Sequence, residues 1–408
     1  AMSLTIFLLL IIILSLVFTC PIYIICKLLN LAKISSNFNK SLFISAMLML
    51  IEFSRYYFLN GVPWLIPGNI FLDTITQNIY SILGVSATSL LVYLLCCNLV
   101  LNKQNNFFYI IICLMIISIL PDNKTHKIND GIKIAVIQPS SDPFLKYKQD
   151  YYYEIEQNIL NLINNVSKDA ELIVIPEAEL PYPIQNERFN IFIDNLPNSE
   201  KIVMGVWNIE ENKLFNSIYS INNGDLYKKA HLVPFGEYIP FIDSLRGLIT
   251  FFDLPMSNVT HGSRNQKNIR VLDDIEIASP ICFDIAFPET VRKMNKSSLL
   301  MINISNDTWF GSSIGPYHHL EIARIRSIEN NRWTIRATND GYSAIISNKG
   351  TIVSYIEKGV SSILEGEVKL INLVSFYNKA GYLFAYIFTF FNIALYLISL
   401  IWKKYKQS

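Results

Sequence analysis

The sequence predicts an α/β domain flanked by membrane-spanning helices. Hydrophobic residues make up 51% of the 408 residues, and the longest apolar runs lie towards the two ends of the chain. Between them, short apolar segments alternate with helical patterns, as is typical of an α/β fold. Charged residues, at 16%, are too frequent for a chain that lies wholly in a membrane. We therefore expect transmembrane helices at residues 1–121, a soluble domain at 122–378, and a last membrane helix with a basic tail at 379–408.

Five apolar runs are candidate membrane spans. A helix needs about 20 apolar residues to cross a bilayer, and the first, third and fifth runs reach that length. The first run lacks a basic start and a small-residue cleavage site, so we expect a span and not a cleaved signal peptide. The runs cover residues 4–29, 42–59, 79–101, 107–120 and 382–402.

The placement of lysines predicts the orientation of these spans. Lysines follow the first, third and fifth runs, and the last group is Lys403, Lys404 and Lys406. The positive-inside rule assigns such segments to the cytoplasm. With four spans before it and one after it, the soluble domain is then expected on the outer side of the membrane, as is the N-terminus.

The segment between the second and third runs is rich in proline and glycine. It contains Pro63, Pro67, Gly61 and Gly68, which disfavour a continuous helix, and Trp64, which favours the lipid interface. Two interpretations stay open. The segment is either an ordinary interfacial loop or a surface segment that admits lipid towards the soluble domain.

The soluble domain is expected to contain a mixed sheet. Some of its apolar segments are separated by helical patterns and others follow one another directly, as in hairpins. A helix is predicted at residues 149–166. Strands are predicted at residues 133–138, 171–177, 201–207, 216–221, 275–283, 299–305 and 343–347.

Cys282 is the single cysteine between Pro121 and Asn378. A buried cysteine in a strand is more commonly a small core residue than a reactive one. This one has no soluble disulfide partner, and its surroundings fit no metal site, so we expect neither metal nor cofactor. Two further chemically capable groups, Glu177 and Lys229, are also placed at strand ends. A carboxylate, an ammonium and a thiol can supply the base, the oxyanion partner and the nucleophile of acyl transfer.

These residues resemble the Glu-Lys-Cys triad of the nitrilase, or carbon–nitrogen hydrolase, superfamily. The motifs that carry the resemblance are the Pro-Glu pair ending at Glu177, the run KAHLVPFGEYIP from Lys229, and ICFD around Cys282. Within the superfamily, the chain resembles the apolipoprotein N-acyltransferase family through FFDLPMS at 251–257, SNDTWFG at 305–311 and GVPWL at 61–65. The resemblance extends from about residue 45 to the C-terminus.

The resemblance implies a nitrilase-like α-β-β-α sandwich inserted between transmembrane helices, with the triad at a membrane-facing edge. It implies that Glu177 is the general base, that Lys229 stabilises the oxyanion and that Cys282 is the nucleophile. Glu237 matches a second carboxylate that the family uses near the triad. The membrane part is shorter than the family's, as if early spans were missing.

Some positions depart from the family pattern. Phe283 and Asp284 stand where the family usually has Tyr-Glu, and Tyr147 stands where it often has Trp. Asp307, Trp309 and Phe310 either shape an acyl pocket or pack a loop near the cysteine. We retain Phe283 and Asp284 as supporting residues. The candidates for the substrate pocket or the lipid path are Trp64, Tyr147, Trp309 and Phe310.

The implied activity is transfer of an acyl chain from a phospholipid to the α-amine of the N-terminal diacylglyceryl cysteine of an apolipoprotein, through a thioester on Cys282. The expected partners are the phospholipid donor, the apolipoprotein and the bacterial inner membrane, with the soluble domain in the periplasm. A monomer is expected, and a net charge of +1 gives no reason to expect nucleic acid. Two alternatives are a membrane-tethered nitrilase-type amidase, which uses water as the acceptor, and a non-catalytic lipoprotein-binding module.

Other polar residues are interpreted as structural. His231 is expected to form a hydrogen bond in a strand or loop, and His318-His319 to mark the start of a helix. Four arginines recur along this helix and after it, where a solvated or ion-paired face is favoured over contact with phosphate. They are Arg324, Arg326, Arg332 and Arg336.

Overall fold

A computed structural model describes residues 2–32, 36–57, 61–102, 131–234, 236–238, 259–272 and 274–407. The predicted span at 107–120 and the motif at 251–257 lie outside the described residues. The described residues fall into two compact units. One is formed by the N-terminal and C-terminal helices, and the other is an α/β unit that ends at Gly381.

Nine α-helices occur in the described residues. They are α1 Met2–Ala32, α2 Asn37–Ser54, α3 Tyr80–Asn102, α4 Tyr152–Asn164, α5 Glu187–Asp194, α6 Pro288–Met294, α7 Gly315–Asn330, α8 Phe376–Ala380 and α9 Leu383–Gln407.

The helical unit covers four of the five predicted apolar runs. Ser36 begins α2, because its hydroxyl accepts a hydrogen bond from Asn39 N at 3.4 Å. By length and composition, two helical segments of the described chain could cross a membrane, Gln77–Leu101 and Leu383–Trp402. Within the first of these, Gly84 adopts φ 71°, which interrupts the helical geometry.

The α/β unit contains two six-stranded mixed sheets. The first has the strand order β12-β1-β2-β3-β4-β5 and the second the order β11-β10-β9-β8-β7-β6. The strands are β1 Ile132–Gln138, β2 Leu172–Ile175, β3 Ile202–Glu210, β4 Lys213–Ser220, β5 Leu226–Lys228, β6 Ile269–Val271, β7 Ile275–Ala278, β8 Leu300–Ser305, β9 Thr334–Thr338, β10 Ser343–Ile346, β11 Ile352–Ile356 and β12 Ser362–Val368.

The main core lies between the two sheets. Ile134 and Val174 of the first sheet belong to the same buried cluster as Ile302 and Ile335 of the second. A second cluster lies between the first sheet and helices α4 and α5, while α6 and α7 pack against strands of the second sheet. The layers are therefore helix, sheet, sheet and helix, which is the predicted α-β-β-α sandwich.

The topology brings several strand ends to one edge. β1, β2 and β3 are mutually parallel neighbours, as are β7, β8 and β9. β5 runs in the same direction as β3, because each pairs antiparallel with β4. Parallel strands present their carboxyl ends on one side, where side chains from successive loops meet.

The strand predicted at 275–283 is shorter in the structure. β7 ends at Ala278, and Cys282–Ala286 forms a 3₁₀ turn. Pro280 lacks the N–H that a continuing ladder would need, and the Asp284 carboxylate accepts from Ile281 N at 3.2 Å, which stabilises the turn. The predicted helix at 149–166 is also shortened, since α4 begins only after a 3₁₀ turn at Gln149–Tyr151.

The four arginines do not form a solvated face. The ion-paired alternative holds for two of them, since Arg326 pairs with Glu329 and Arg336 Nη2 lies 2.7 Å from Asp307 Oδ2. All four arginines are buried, and each of Arg324, Arg326 and Arg332 donates from Nε to a loop carbonyl at 2.7–2.9 Å. Arg336 is fully buried on β9. The guanidinium group carries several donors in a fixed plane, so it can satisfy buried carbonyl oxygens that the loops leave without a backbone partner.

Candidate active site

Glu177 lies two residues beyond β2 and is only 3% exposed. Its Oε1 is 2.9 Å from Lys229 Nζ and accepts from Asn216 Nδ2 at 2.6 Å. Its other oxygen, Oε2, accepts from Asn306 N at 2.7 Å. Both carboxylate oxygens are therefore fixed by donors from three separate segments, which sets the orientation of the side chain.

A glycine allows this close packing around Glu177. The chain turns at Ala178, which has φ 45°, and passes directly over Gly205 of β3. A Cβ atom at Gly205 would lie 2.5 Å from Glu177 Cα and 2.5 Å from Pro176 O. Any larger residue at this position would displace the backbone that carries the carboxylate.

Lys229 directly follows β5 and is 1% exposed. Its ammonium lies between two carboxylates, 2.9 Å from Glu177 Oε1 and 2.7 Å from Glu237 Oε1. Burial acts to lower the pKa of Lys229, but the Glu177 and Glu237 carboxylates help to raise it well above its usual value. Lys229 is therefore a fixed positive charge at neutral pH.

Glu237 is oriented by its own loop. Its Oε2 accepts from Val233 N at 2.8 Å, while Oε1 faces Lys229 and lies 3.4 Å from Asn216 Nδ2. Asn216 thus contacts both carboxylates that flank the lysine.

Cys282 opens the 3₁₀ turn that follows β7 and has φ 44°. This left-handed conformation is costly for a residue with a side chain, and it recurs at functional sites. Burial among protein atoms and the Glu177 carboxylate raise the pKa of the Cys282 thiol, and the Lys229 charge lowers it. The resting group is therefore a thiol, and a base must remove its proton before it can attack.

Asp284 joins the cysteine turn to the lysine loop. Its carboxylate accepts from His231 N at 2.7 Å, from Ala230 N at 3.4 Å, from Ile281 N at 3.2 Å and from Tyr227 Oη at 3.2 Å. Burial raises the pKa of Asp284 to about 7, while the Lys229 charge and the backbone donors act in the opposite direction. Asp284 therefore fixes the position of Cys282 relative to Lys229.

Comparison with known proteins identifies the family of this chain. The carbon-nitrogen hydrolase family matches residues 133–375, and the apolipoprotein N-acyltransferase N-terminal domain matches residues 1–98. The apolipoprotein N-acyltransferase of Pseudomonas aeruginosa strain LESB58 is 32% identical over 79% of this chain and 67% of its own length. This chain belongs to the apolipoprotein N-acyltransferase family.

Two further relatives with the same family name agree with this assignment. The apolipoprotein N-acyltransferase of Vibrio parahaemolyticus is 33% identical over 79% of this chain and 68% of its own length, and that of Shewanella oneidensis is 28% identical over 82% and 69%. Among solved structures, Saccharomyces cerevisiae Nit3 of the nitrilase superfamily is similar, with a TM-score of 0.43 and 21% identity over 61% of this chain and 93% of that one.

The residue after Cys282 is Phe283, which carries no hydroxyl. Phe283 is buried and packs edge-on against Phe287, with ring centroids 5.3 Å apart. His231 also contacts Phe287, by stacking at 3.6 Å, and its Nε2 lies 2.7 Å from Thr290 Oγ1. The expectation that His231 forms a hydrogen bond is confirmed.

The predicted pocket residues occupy different environments. Trp309 is 59% exposed and Tyr147 is 37% exposed, whereas Phe310 is half-buried and meets the His319 ring edge-on at 6.1 Å. Trp64 belongs to the helical unit, where its carbonyl accepts a hydrogen bond from the Arg55 guanidinium.

Several residues at the site are not singled out by sequence patterns. Asn216 and Asn306 contact Glu177, and Lys146 and Glu179 form a buried ion pair at 3.2 Å. Glu179 follows Glu177 by two residues, and a second carboxylate at that spacing is the one signal that could have drawn attention to it.

Proposed function

We propose that this chain transfers an acyl chain from a phospholipid to the α-amine of the N-terminal cysteine of an apolipoprotein, through a thioester on Cys282. The observation that carries the proposal is the buried Lys229 ammonium, held 2.9 Å from Glu177 and 2.7 Å from Glu237, with its charge acting on Cys282. In a chain of this family, that arrangement supplies a base, a cation and a nucleophile together.

The first half-reaction forms the thioester. Glu177 takes the proton of the Cys282 thiol, and the sulfur attacks the ester carbonyl of the phospholipid. The negative charge that develops on the carbonyl oxygen is stabilised by Lys229, and removal of one such donor typically costs about 3–4 kcal/mol of transition-state stabilisation. The C–O bond then breaks, and the lysophospholipid leaves with the proton held by Glu177.

The second half-reaction forms the amide. The α-amine of the apolipoprotein attacks the thioester carbonyl, and Glu177 accepts the proton that the amine loses. The C–S bond breaks, the N-acylated product leaves, and Cys282 recovers its proton from Glu177. Because both halves share one covalent intermediate, ping-pong kinetics are expected.

The neighbouring residues hold this geometry through the cycle. Glu237, fixed by Val233 N, keeps the ammonium of Lys229 charged and oriented. Asn306 N binds the oxygen of Glu177 that does not face the lysine, which leaves Oε1 on the side of Lys229. Because the carboxylate is already held in one orientation, it needs little reorganisation before each proton transfer.

We further propose that the protein is a multi-pass inner-membrane enzyme with its α/β unit in the periplasm. The distribution of lysines supports this orientation, and two described helices have the length and composition of membrane spans. Lys168 is exposed on the α/β unit and can report the orientation. A cysteine at this position should react with an impermeant maleimide in intact spheroplasts; labelling only after lysis would contradict the periplasmic placement.

The decisive experiment is mass spectrometry of the full-length protein after incubation with phospholipid and no acceptor. An acyl group is expected on the peptide that contains Cys282, and it should disappear when an apolipoprotein peptide with a free α-amine is added. Cys282→Ala is the control and should carry no adduct. No adduct, together with hydrolysis of a small amide, would instead identify a membrane-tethered amidase.

A further inference from the structure

The side chain of Asn339 connects two loops of the α/β unit. Asn339 directly follows β9 and is fully buried. Its Oδ1 accepts from Ser141 N at 2.9 Å, and its Nδ2 donates to Ser141 O at 3.0 Å and to Thr308 Oγ1 at 3.2 Å. Ser141 lies in the loop after β1, and Thr308 lies in the turn after β8. We call these three residues, with the hydrogen bonds between them, the Asn339 bridge.

The hydrogen-bond partners fix the orientation of the Asn339 amide. Its NH₂ has two hydrogens and meets two acceptors, while its oxygen meets an N–H. Exchanging the oxygen and the nitrogen would set the oxygen against the Ser141 carbonyl and the NH₂ against the Ser141 N–H. The backbone adds another link, because Asn339 O accepts from Ser140 N at 2.9 Å. Ser140 has φ 55°, which is costly for serine, so these bonds hold the loop after β1 in an otherwise unfavourable shape.

One arm of the bridge leads to the catalytic base. Thr308 Oγ1, which accepts from Asn339, donates its own proton to Asn306 Oδ1 at 2.6 Å, and Thr308 N lies 3.3 Å from the same oxygen. The backbone N–H of Asn306 in turn donates to Glu177 Oε2 at 2.7 Å. Asn339 N also donates to Ser305 O at 3.1 Å. Asn339 therefore holds the chain on both sides of the residue that orients the base.

The other arm leads to Tyr147, a candidate for the substrate pocket. Ser141 Oγ donates to Glu179 Oε1 at 2.5 Å, and Lys146 Nζ lies 3.2 Å from Glu179 Oε2. Both charges of this pair are buried, so good geometry is needed to offset their lost solvation. Tyr147 is the next residue along the chain. Burial raises the pKa of its hydroxyl, and the Glu179 and Glu177 carboxylates act in the same direction, as expected for a hydroxyl that lies near them.

We propose that Asn339 is a positioning residue that holds the base Glu177 and the loop of Tyr147 in one arrangement. The bridge joins Asn339 to residues 198 and 31 positions away, so it forms only when the two sheets pack together. While the bridge is intact, the Asn306 N–H stays on Glu177 Oε2, and the base needs little reorganisation before it accepts a proton. The catalytic consequence of this role rests on the proposed acyl transfer through Cys282.

Substitutions at Thr308 and Ser141 separate the two arms. Thr308→Val removes the hydroxyl that joins Asn339 to Asn306, whereas Thr308→Ser retains it. Ser141→Ala removes the hydrogen bond to Glu179 but keeps the pairing with Asn339, because that pairing uses only the backbone of Ser141. Both positions are only half-buried, so these variants are expected to fold.

The structural test is hydrogen–deuterium exchange of the detergent-solubilised full-length protein, read by mass spectrometry. Asn339→Ala removes both arms and should speed exchange by about fivefold in two distant segments, 139–148 and 305–310. The matched control is Asn348→Ala, since Asn348 is also buried and donates to Asn331 Oδ1 at 2.8 Å. It should leave both segments unchanged. Unchanged exchange in either segment of Asn339→Ala would overturn the proposal, whether or not the chain transfers acyl groups.

The rate of Cys282 acylation against phospholipid concentration in mixed micelles gives a second measurement. Thr308→Val should lower the limiting rate by about tenfold without changing the half-saturating concentration, and Thr308→Ser should restore the rate. Ser141→Ala should instead raise the half-saturating concentration by about three- to tenfold, since it acts on the loop of Tyr147. Equal limiting rates in the two Thr308 variants, or an unchanged donor dependence in Ser141→Ala, would contradict the corresponding arm. Linked exchange of the two segments in a chain that takes no acyl group from phospholipid would overturn the proposed function alone.

Discussion

Gly205→Ala tests whether the position of Glu177 limits the reaction. The added Cβ atom would lie 2.5 Å from Glu177 Cα, and ordinary contact begins at 3.4 Å, so the two segments must separate by about 0.9 Å. A misplacement of about 1 Å at a reacting group can cost about 100-fold in rate. We therefore expect thioester formation at Cys282 to slow by about 100-fold, with a loss of about 1–3 kcal/mol in the free energy of unfolding.

The matched control is Val206→Ala on the same strand. Val206 is buried in the cluster between the first sheet and its helices, so its truncation should cost about 1–3 kcal/mol of stability. Its side chain leaves the opposite face of the strand from Gly205 and does not displace Glu177. The assay is single-turnover acylation of Cys282, read by mass spectrometry, alongside thermal unfolding. Equal acylation rates in the two variants at similar loss of stability would refute the reasoning.

Three further outcomes test the site. Glu177→Gln should abolish turnover yet speed alkylation of Cys282 at neutral pH, because its carboxylate raises the pKa of the thiol; slower alkylation would contradict that sign. Glu237→Gln should slow thioester formation by about 10–100-fold, since hydrogen bonds to charged groups contribute about 1.5–3 kcal/mol. Glu210→Gln, in the exposed pair with Lys228, should not slow it. Trp64→Ala should weaken acylation by long-chain phospholipid but not by a short soluble thioester, and equal loss with both donors would mean that the loop supports folding.

The role of Asp284 in the turn that begins at Cys282 could be predicted from the sequence only in part. The sequence motif places Asp284 two residues after Cys282, but it does not show that the Asp284 carboxylate accepts hydrogen bonds from two loops. Its partners Tyr227, Ala230 and His231 are 57, 54 and 53 residues away. Such a contact depends on the pairing of β5 with β4 and on the packing of the two sheets, which no local pattern encodes.

Local sequence determined the order of the motifs and most of the layers. Period-two and continuous apolar segments predict β1, β2, β3 and β8 to within a few residues, because burial on a sheet selects the side chains locally. The strand predicted at 275–283 ends early because Pro280 has no N–H to donate to the neighbouring strand. Short strands such as β5 and β6, with three residues each, are too brief for periodicity to identify.

The sequence by itself determined which residue types are available for catalysis, namely Glu177, Lys229 and Cys282, and the family to which their motifs belong. Only the tertiary structure decided how they are held: Asn306 reaches Glu177 across 129 residues, and His319 reaches the Cys282 carbonyl across 37. Only the tertiary structure showed that the four arginines are buried. From sequence alone a charged side chain is expected to be exposed, because the carbonyl oxygens that accept its hydrogen bonds are not yet known. Residue type follows from the chain alone, whereas protonation, burial and orientation are properties of contacts that form only when the two sheets pack together.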